Sequence, residues 1–501
     1  MINPMKDLLQ MASNTNNNQN SSKKQLVPAK KWIKRSGIFL AILLFSFLCF
    51  TGIRAWQFKN YRQASKLSNQ EALAFQKYLH NHYGERSGIL KDLPYKLGQT
   101  NLDIWAKSYI LIDTANGNIL SQKNADEVIP PASMTKLFSM YLVEEAVAAG
   151  KLSYEQEIPL PPECWACNMP PHSSLMFLGE GQKVTLEELL LGLSICSGND
   201  AAYALAYATC GSMDAFVEGM NQIAYDLGLT HTHFVESSGY SEKNTTTARE
   251  MATFCQVYLQ RHPSSIERFH SVQKFTYPKE VNLAPGDTLA AQDFTQGLPR
   301  HITMSITQRN TNPLLGTLDG VDGLKTGYIV ESGYNLALTA RRFGNRFLSV
   351  TMGGPGTSTK EGQQGRVHDG TELMEWAFKN FKNFSLELYN HPYFMTTFAA
   401  KQKGINLIPA YSDQFLTVPY IVGQDLDENL SKVKVYLNID EDKWGHISLG
   451  EECGSIKIVL NDYLLQEIPL LADREVKKSN FIVSMSDKLI KTALSFSKKT
   501  K

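Results

Sequence analysis

An uncharged, mostly apolar stretch at residues 37–53 constrains this chain most, because a stretch of that kind favours a membrane-spanning helix. Its 17 residues lie at the short end for a span, and Trp32 and Trp56 flank it where interfacial aromatic side chains are common. The leader before it is long, and no Ala-x-Ala site follows, so an uncleaved anchor is favoured over a cleaved signal peptide. We therefore expect residues 1–36 to be a disordered cytoplasmic tail and most of the chain to be extracytoplasmic.

The charge distribution supports that orientation. The first 35 residues hold seven basic residues and one acidic residue, whereas the 501-residue chain has a net charge of only +1. Basic residues that precede a span tend to stay on the cytoplasmic side. Because the chain has no overall basic excess, the composition gives no reason to expect a nucleic-acid partner.

The cysteines leave several possibilities open. One of the seven, Cys49, lies in the apolar stretch, and the others are Cys164, Cys167, Cys196, Cys210, Cys255 and Cys453. The Cys164-x-x-Cys167 pair favours a local disulfide or free thiols over a metal or redox site. No second Cys pair or His pair completes a zinc site, so no metal is expected.

The remaining chain divides by pattern into distinct units. Asn116-Gly117 predicts a hairpin turn, Pro131 the start of a helix, and Gly344-Asn345 the turn between two paired strands. Long helices are predicted at 184–208, 247–259 and 372–381, and an insertion of loops and short strands at 262–308. The predicted units are a basic tail at 1–36, an anchor at 37–53, a helical stalk at 54–100, a main α/β unit at 101–385, a β-rich unit at 390–472 and an amphipathic helix at 473–501.

A serine and a lysine at the start of one predicted helix carry the first chemical signal. Ser133 and Lys136 are three residues apart, so their side chains share one helix face. An unprotonated lysine in that position can take the serine proton and create a nucleophile. Ser-x-x-Lys occurs five times in this chain, so the pattern alone is weak.

Two further motifs strengthen the signal. Ser197-Gly-Asn199 follows an apolar helical run, and Lys325-Thr-Gly327 enters the predicted strand pair. The three motifs in this order are typical of penicillin-binding proteins and β-lactamases. The chain resembles the low-molecular-mass penicillin-binding proteins of the serine-type D-alanyl-D-alanine carboxypeptidase family over about residues 105–470. The resemblance includes segments such as 112–117, 173–177, 310–312, 320–327 and 352–354.

The resemblance implies a fold and a set of roles. The fold is a β-lactamase/transpeptidase-like α/β fold, with an antiparallel sheet covered by helices, a helical subdomain and a small all-β C-terminal domain. The implied catalytic residues are Ser133 as nucleophile, Lys136 as general base and Ser197 as proton relay. The implied substrate-binding residues are Asn199, Lys325, Thr326, Gly327 and Tyr328, with the N–H groups of Ser133 and Tyr328 as oxyanion hole. No metal or cofactor is implied.

Three features depart from the family pattern. Ile329 stands where threonine usually follows the third motif, the insertion at 262–308 looks longer than usual, and the N-terminal anchor replaces a signal peptide that is often cleaved. For Lys136 we expect a lowered pKa, caused by burial and by the charge of Lys325.

The resemblance implies removal of the terminal D-alanine from peptidoglycan stem peptides at a bacterial cytoplasmic membrane, with β-lactams as covalent inhibitors. Endopeptidase activity on cross-links uses the same chemistry and stays open. A β-lactamase is disfavoured because no Glu-x-x-x-Asn element occurs at 200–324, and a non-catalytic envelope scaffold is disfavoured by the intact motifs. The amphipathic pattern after Asn480 predicts a helix on the membrane surface, so lipid would contact both chain ends, with packing on the β-rich unit as the alternative.

Overall fold

The computed structural model describes residues 29–61, 64–83, 90–95, 101–385, 393–410, 415–419, 431–440 and 443–499. The predicted disordered tail therefore lies largely outside the described residues, and its last part belongs to the first helix. The α-helices are α1 Ala29–Asn60, α2 Asn69–Tyr83, α3 Lys136–Ala148, α4 Leu186–Leu191, α5 Asn199–Cys210, α6 Met213–Asp226, α7 Ala248–Arg261, α8 Thr359–Asn380 and α9 Phe481–Lys499.

The strands form two larger sheets and two strand pairs. A six-stranded sheet has the order β1-β3-β2-β8-β7-β6, a five-stranded sheet the order β10-β11-β15-β14-β13, and β4 pairs with β5 as β9 does with β12. The strands are β1 Lys91–Asp92, β2 Ser108–Asp113, β3 Asn118–Lys123, β4 Lys274–Tyr277, β5 Ile306–Arg309, β6 Val321–Ile329, β7 Gly333–Arg342, β8 Asn345–Gly354, β9 Phe381–Ser385, β10 Tyr393–Thr396, β11 Gly404–Pro409, β12 Phe415–Pro419, β13 Val433–Ile439, β14 Glu452–Leu460 and β15 Tyr463–Ala472.

The six-stranded sheet separates two cores. Successive side chains of a strand point to opposite faces. Ile110 and Ile112 accordingly pack with helices α3 to α7, whereas Tyr109 and Leu111 pack with α8 and Leu338 on the other face. Because both faces of the sheet are covered, β2 is buried along its whole length and β8 at all but one position. The sheet is therefore the platform on which the motif-bearing elements rest, and β6 is its edge strand.

The hairpin about Asn116-Gly117 and the strand pair about Gly344-Asn345 are confirmed. The predicted helix at 184–208 is wrong in one respect, because a π-helical turn at 192–196 interrupts it. Gly192 within that turn packs so closely on Met176 that a side chain at 192 would lie 2.2 Å from the Met176 sulfur. The interruption ends with Ser197 in a left-handed conformation (φ 57°), which places the second motif between two helices.

Helix α8 begins thirteen residues before the predicted helix at 372–381. Its first half is rich in glycine, which sequence reasoning treats as helix-breaking. These glycines permit close packing instead: a side chain at Gly362 would overlap the Tyr334 ring, and one at Gly370 would lie 2.4 Å from Leu314 Cδ1. The insertion at 262–308 has the predicted loops and short strands, β4 and β5.

The β-rich C-terminal part is confirmed as an all-β unit with its own core around Ile405, Ile458 and Leu470. Strand β12 lies outside the five-stranded sheet and pairs with β9, which directly follows α8. Thr417 of β12 donates a 2.6 Å hydrogen bond to Asp113 Oδ2 at the end of β2. The two β-containing units are therefore joined by a strand pair and by a buried polar contact.

The N-terminal helix α1 contains one candidate membrane span, Ser36–Asn60, with a mean hydropathy of 2.3. The segment predicted as a stalk includes α2, which packs Phe75 against Ala410 and Leu471 of the β-rich unit. Helix α9 packs there as well, through Ile490 and Phe398, next to Phe58 of α1.

The cysteines are free thiols. Cys164 is buried, with its sulfur 2.9 Å from the Pro161 carbonyl, and Cys167 lies beside Asn168. The sequence favoured either a local disulfide or free thiols for this pair, and the structure has free thiols. Within the described ranges, no group of three or more His, Cys, Asp or Glu side chains is arranged to hold a metal ion.

Candidate active site

Ser133 lies in a short 3-10 turn, Ala132–Thr135, that leads into α3. Ala132, just before it, has a left-handed backbone (φ 50°), an uncommon conformation for a non-glycine residue. Gly239 closes over this turn, and a side chain at 239 would lie 1.8 Å from the Ala132 carbonyl oxygen. The turn therefore holds Ser133 in a partly exposed position by close backbone packing.

Lys136 is fully buried and lies one turn after Ser133, as the spacing predicts. Its Nζ is 3.1 Å from Ser133 Oγ, 2.8 Å from Asn199 Oδ1 and 2.5 Å from the Ser238 carbonyl oxygen. The oxygens of Asn199 and Ser238 can only accept hydrogen bonds. A neutral Lys136 amine would use its two hydrogens on them and direct its lone pair at Ser133.

The pKa of Lys136 is lowered to about 7, and burial is the cause. The carboxylates of Glu236 and Asp200 oppose the shift by favouring the charged form. The predicted contribution of Lys325 is not among the causes of the Lys136 shift, although Lys136 helps burial to lower the pKa of Lys325. Repulsion between two ammonium groups is mutual, so the site disfavours both lysines being charged at once.

The second motif contacts the first through Asn199. Asn199 opens α5, and its side-chain amide links two groups: Oδ1 accepts from Lys136, and Nδ2 donates to Ser173 Oγ at 3.0 Å. Ser197 lies two residues earlier, at the end of the π-helical turn, and is 3% exposed. The structure therefore shows a further role of Asn199 that the sequence did not indicate: its Oδ1 orients the Lys136 amine.

The third motif lies on the edge strand β6. Lys325 is buried, with Nζ 2.9 Å from the Thr326 carbonyl, and Thr326 Oγ1 donates to Thr311 Oγ1 at 2.7 Å. A side chain at Gly327 would lie 2.5 Å from the Pro131 carbonyl and 3.2 Å from the Ser133 nitrogen. The glycine is therefore needed for β6 to pass beside the Ser133 turn, and Tyr328 follows it on the strand.

The sequence matches the family described as D-alanyl-D-alanine carboxypeptidase over residues 96–356, and the C-terminal domain of penicillin-binding protein 5 over residues 393–478. It is 31% identical to the D-alanyl-D-alanine carboxypeptidase DacF of Bacillus subtilis (strain 168), over 75% of this chain and 87% of that protein. The carboxypeptidase DacA of Escherichia coli (strain K12) is 29% identical over 76% and 86% of the two chains. This chain belongs to the D-alanyl-D-alanine carboxypeptidase family.

A solved structure supports the same assignment for the fold. Penicillin-binding protein 5 of Haemophilus influenzae matches with a TM-score of 0.64 and 28% identity, over 76% of this chain and all of that one. The predicted transpeptidase-like α/β fold with its C-terminal all-β domain is confirmed, and so is the predicted serine-type carboxypeptidase activity.

In this carboxypeptidase, Asp200 is a site residue that the motif search did not single out, although it follows Asn199 directly. Its carboxylate accepts hydrogen bonds from the N–H groups of Met176, Phe177 and Leu178. Burial raises its pKa, and these hydrogen bonds oppose that shift. Asp200 therefore holds the segment that contains Ser173 against the second motif.

Glu236 orders a second backbone segment next to Lys136, as Asp200 does for residues 176–178. Its carboxylate accepts from the N–H groups of Ser238 and Gly239 and from Asn244 Nδ2. The loop so ordered presents the Ser238 carbonyl to Lys136. No sequence motif surrounds Glu236, so only the three-dimensional contacts could reveal it.

Arg366 of α8 is a third missed residue. Nη2 donates to the Gly327 carbonyl at 2.6 Å and Nε to the Asn335 carbonyl at 3.1 Å. Its guanidinium lies 5.1 Å from the Tyr334 ring, on which Tyr328 stacks. Burial lowers the pKa of Arg366 to about 10, so it stays charged at neutral pH. It adds positive charge behind the third motif.

Three polar side chains outside the motifs have ionic partners of their own. His301 of the insertion lies beside Asp287 and Glu180, and Asp322 pairs with Arg346. His231 contacts Glu250.

Proposed function

We propose that this carboxypeptidase forms its acyl-enzyme on Ser133, with Lys136 as the base. The observation that carries the proposal is the set of three contacts of Lys136 Nζ, which direct a neutral amine's lone pair at Ser133 Oγ. The lowered pKa of Lys136 supports a neutral amine near pH 7. A base works best when its pKa lies near the working pH.

The reaction follows from these positions. Ser133 Oγ attacks the carbonyl carbon of the penultimate D-alanine of a peptidoglycan stem peptide while its proton passes to Lys136. The C–N bond of the tetrahedral intermediate then breaks, and Ser197 relays a proton to the departing D-alanine amine. Water repeats the sequence on the ester, which releases the shortened peptide and restores Ser133. A β-lactam ring would acylate the same oxygen.

The remaining motif residues would bind the substrate. Asn199 would donate to the acyl amide, Lys325 would supply positive potential, and Thr326 would bind the terminal carboxylate. Gly327 gives the peptide access to the backbone of β6. The N–H groups of Ser133 and Tyr328 would stabilise the oxyanion.

A substitution pair tests the assignment. Ser133→Ala should lose D-alanine release and penicillin labelling, while Ser271→Ala should keep both, because Ser271 belongs to another Ser-x-x-Lys sequence outside the site. Equal labelling of the Ser133→Ala protein would overturn the assignment. A cross-linked peptide dimer, assayed in parallel, measures endopeptidase activity at the same serine.

We also propose that residues 101–385 are the catalytic domain, that residues 390–472 are the C-terminal domain, and that both lie on the extracytoplasmic side of a bacterial cytoplasmic membrane. The apolar α1 supports an anchor at 37–53. Helix α9 supports a second lipid contact, since it packs through Ser486, Asp487 and Ile490 and leaves apolar side chains exposed. Those exposed side chains are Phe481, Ile482, Met485, Leu489 and Leu494.

The second lipid contact has its own test. A form that begins at residue 64 lacks α1 and should still bind anionic vesicles in a salt-sensitive way. Removal of residues 480–501 from that form should abolish binding. Binding that survives the removal would contradict the second contact.

A further inference from the structure

A fully buried imidazole lies behind the active site and takes no part in the mechanism above. His270, only 1% exposed, belongs to a short π-helical turn after α7. Its Nε2 lies 3.0 Å from the Tyr258 hydroxyl, and its Nδ1 lies 3.4 Å from Ser194 Oγ. We call His270, Tyr258, Glu144, Ser194 and Ser265 the His270 cluster.

The cluster reaches the helix that carries Lys136. Tyr258 donates a 2.6 Å hydrogen bond to Glu144 Oε2, and Ser265 donates to the other carboxylate oxygen. Glu144 lies on α3, eight residues after Lys136. Because the Tyr258 hydroxyl donates to Glu144, it can accept from an Nε2–H of His270. The hydrogen-bonded series therefore runs from α3 to the imidazole.

The other side of the imidazole contacts the elements of the second and third motifs. Ser194 lies in the π-helical turn, three residues before Ser197. The backbone of Leu324, which precedes Lys325, is within hydrogen-bonding reach of the ring. A side chain at Gly323 would lie 3.0 Å from His270 Cβ, so the start of β6 packs directly on this residue. One buried imidazole thus contacts the elements of the second and third motifs directly and reaches α3 through Tyr258.

The electrostatics fit a neutral ring. Burial, helped by the charge of Lys325, lowers the pKa of His270 to about 4, although a hydrogen bond with the Leu324 backbone opposes the shift. A neutral imidazole can donate from one nitrogen and accept at the other without placing a second positive charge behind Lys325. Hydrogen bonds of this kind fix direction as well as distance, which apolar packing does less well.

We propose that His270 and Tyr258 are positioning residues that set the Ser197 turn and the Lys325 strand relative to α3. The two elements need such support because β6 pairs on one side only and the Ser197 turn departs from regular helix. The proposal rests on the proposed function, since it concerns the geometry of that reaction.

The test uses the full-length protein and two pairs of variants. Tyr258→Phe removes only the hydroxyl that joins His270 to Glu144. It should lower the rate of acylation by a fluorescent penicillin, and kcat for a D-Ala-D-Ala peptide, by about tenfold or more, with a smaller change in KM. The matched control is Tyr277→Phe, which removes a buried hydroxyl bonded to Gln182, outside the cluster, and should leave both rates unchanged.

His270→Gln and His270→Phe form the second pair. Glutamine can restore a donor near the position of Nε2, whereas phenylalanine fills the space without polar atoms, so the Gln variant should retain more of the acylation rate than the Phe variant. Melting temperatures of all four variants separate this effect from unfolding, because a purely structural role would lower stability and leave the acylation rate of the folded fraction intact. Equal acylation rates in wild-type, Tyr258→Phe and both His270 variants would overturn the proposal. A wild-type protein that is not acylated at Ser133 would instead contradict the proposed function.

Discussion

Arg54 and Asp487 lie 433 positions apart in the chain and form a buried ion pair with an Nε–Oδ1 distance of 2.7 Å. Asp487 also accepts from the Ala399 N–H, so α1, α9 and the β-rich unit meet at one carboxylate. By sequence, Asp487 falls with the lysines on the polar half of α9, which a helix on the membrane surface would expose. The structure corrects that assignment, because Asp487 is fully buried and packs inward with Ser486 and Ile490, whereas Phe481, Ile482, Met485, Leu489 and Leu494 of α9 stay exposed.

Breaking this ion pair should detach α9 from α1. Asp487 is fully buried and the Arg54 side chain is 12% exposed, so removal of the carboxylate leaves a largely buried guanidinium without its partner, at a cost of up to about 3–5 kcal/mol. In vesicles, Asp487→Asn should therefore speed tryptic cleavage near Lys488 and Lys491. The exchanged pair, Arg54→Asp with Asp487→Arg, should restore part of the protection.

An exposed ion pair provides the control for that measurement. Arg249 and Asp126 lie 2.6 Å apart on the catalytic unit, far more exposed than Arg54 and Asp487. Arg249→Gln should leave cleavage of the tail unchanged. Equal cleavage rates in the Asp487→Asn and wild-type proteins would show that the ion pair does not hold α9.

The acylation rate should rise with pH through about 7. The pKa of Lys136 is about 7 in the folded protein, and only the neutral amine can accept the Ser133 proton, so the active fraction grows as pH passes that value. The measurement is the second-order rate of penicillin acylation between pH 5 and 9. Lys136→Arg should abolish acylation at every pH, because arginine stays protonated. Lys274→Arg, in the Ser271 sequence outside the site, should leave the profile unchanged.

Glu236 should set the position of that pH profile. Its negative charge raises the pKa of Lys136, so Glu236→Gln should move the midpoint of the acylation profile to lower pH. Glu242→Gln changes an exposed carboxylate of the same loop and should leave the midpoint in place. A midpoint that moves to higher pH in Glu236→Gln would contradict the electrostatic role.

Ile329→Thr should raise carboxypeptidase turnover if a hydroxyl there helps to hold the substrate carboxylate. The gain should be on the order of 1 kcal/mol, the value of one hydrogen bond. Ile329→Val, which is similar in shape to threonine but lacks the hydroxyl, separates the polar effect from the change in size. Equal turnover of the two variants would show that the hydroxyl is irrelevant at this position.

Local signals in the sequence were enough to predict much of this molecule. The turn at Asn116-Gly117, the apolar strands and the three short motifs depend on neighbouring residues, and the structure has each of them where the pattern indicated. The break at 192–196 and the early start of α8 could not be predicted from neighbouring residues. Gly192 and Gly362 instead allow close packing against Met176 and Tyr334, which are not their neighbours in the sequence.

The candidate site also combines contacts that the local sequence predicts with long-range contacts that it does not. Ser133 and Lys136 meet across one helical turn, which their spacing predicts. Glu236 and Arg366 reach the site through backbone carbonyls and amides, and a backbone contact leaves no residue pattern to recognise. Tertiary contacts of that kind are visible only once the chain is folded.

Ser133 is proposed to be the acylated nucleophile. The most direct measurement is mass spectrometry of the proteolysed full-length protein after brief exposure to penicillin. We expect one adduct, on the oxygen of Ser133, whose yield increases with pH through about 7. An adduct on another serine, or full labelling of a Ser133→Ala protein, would contradict it.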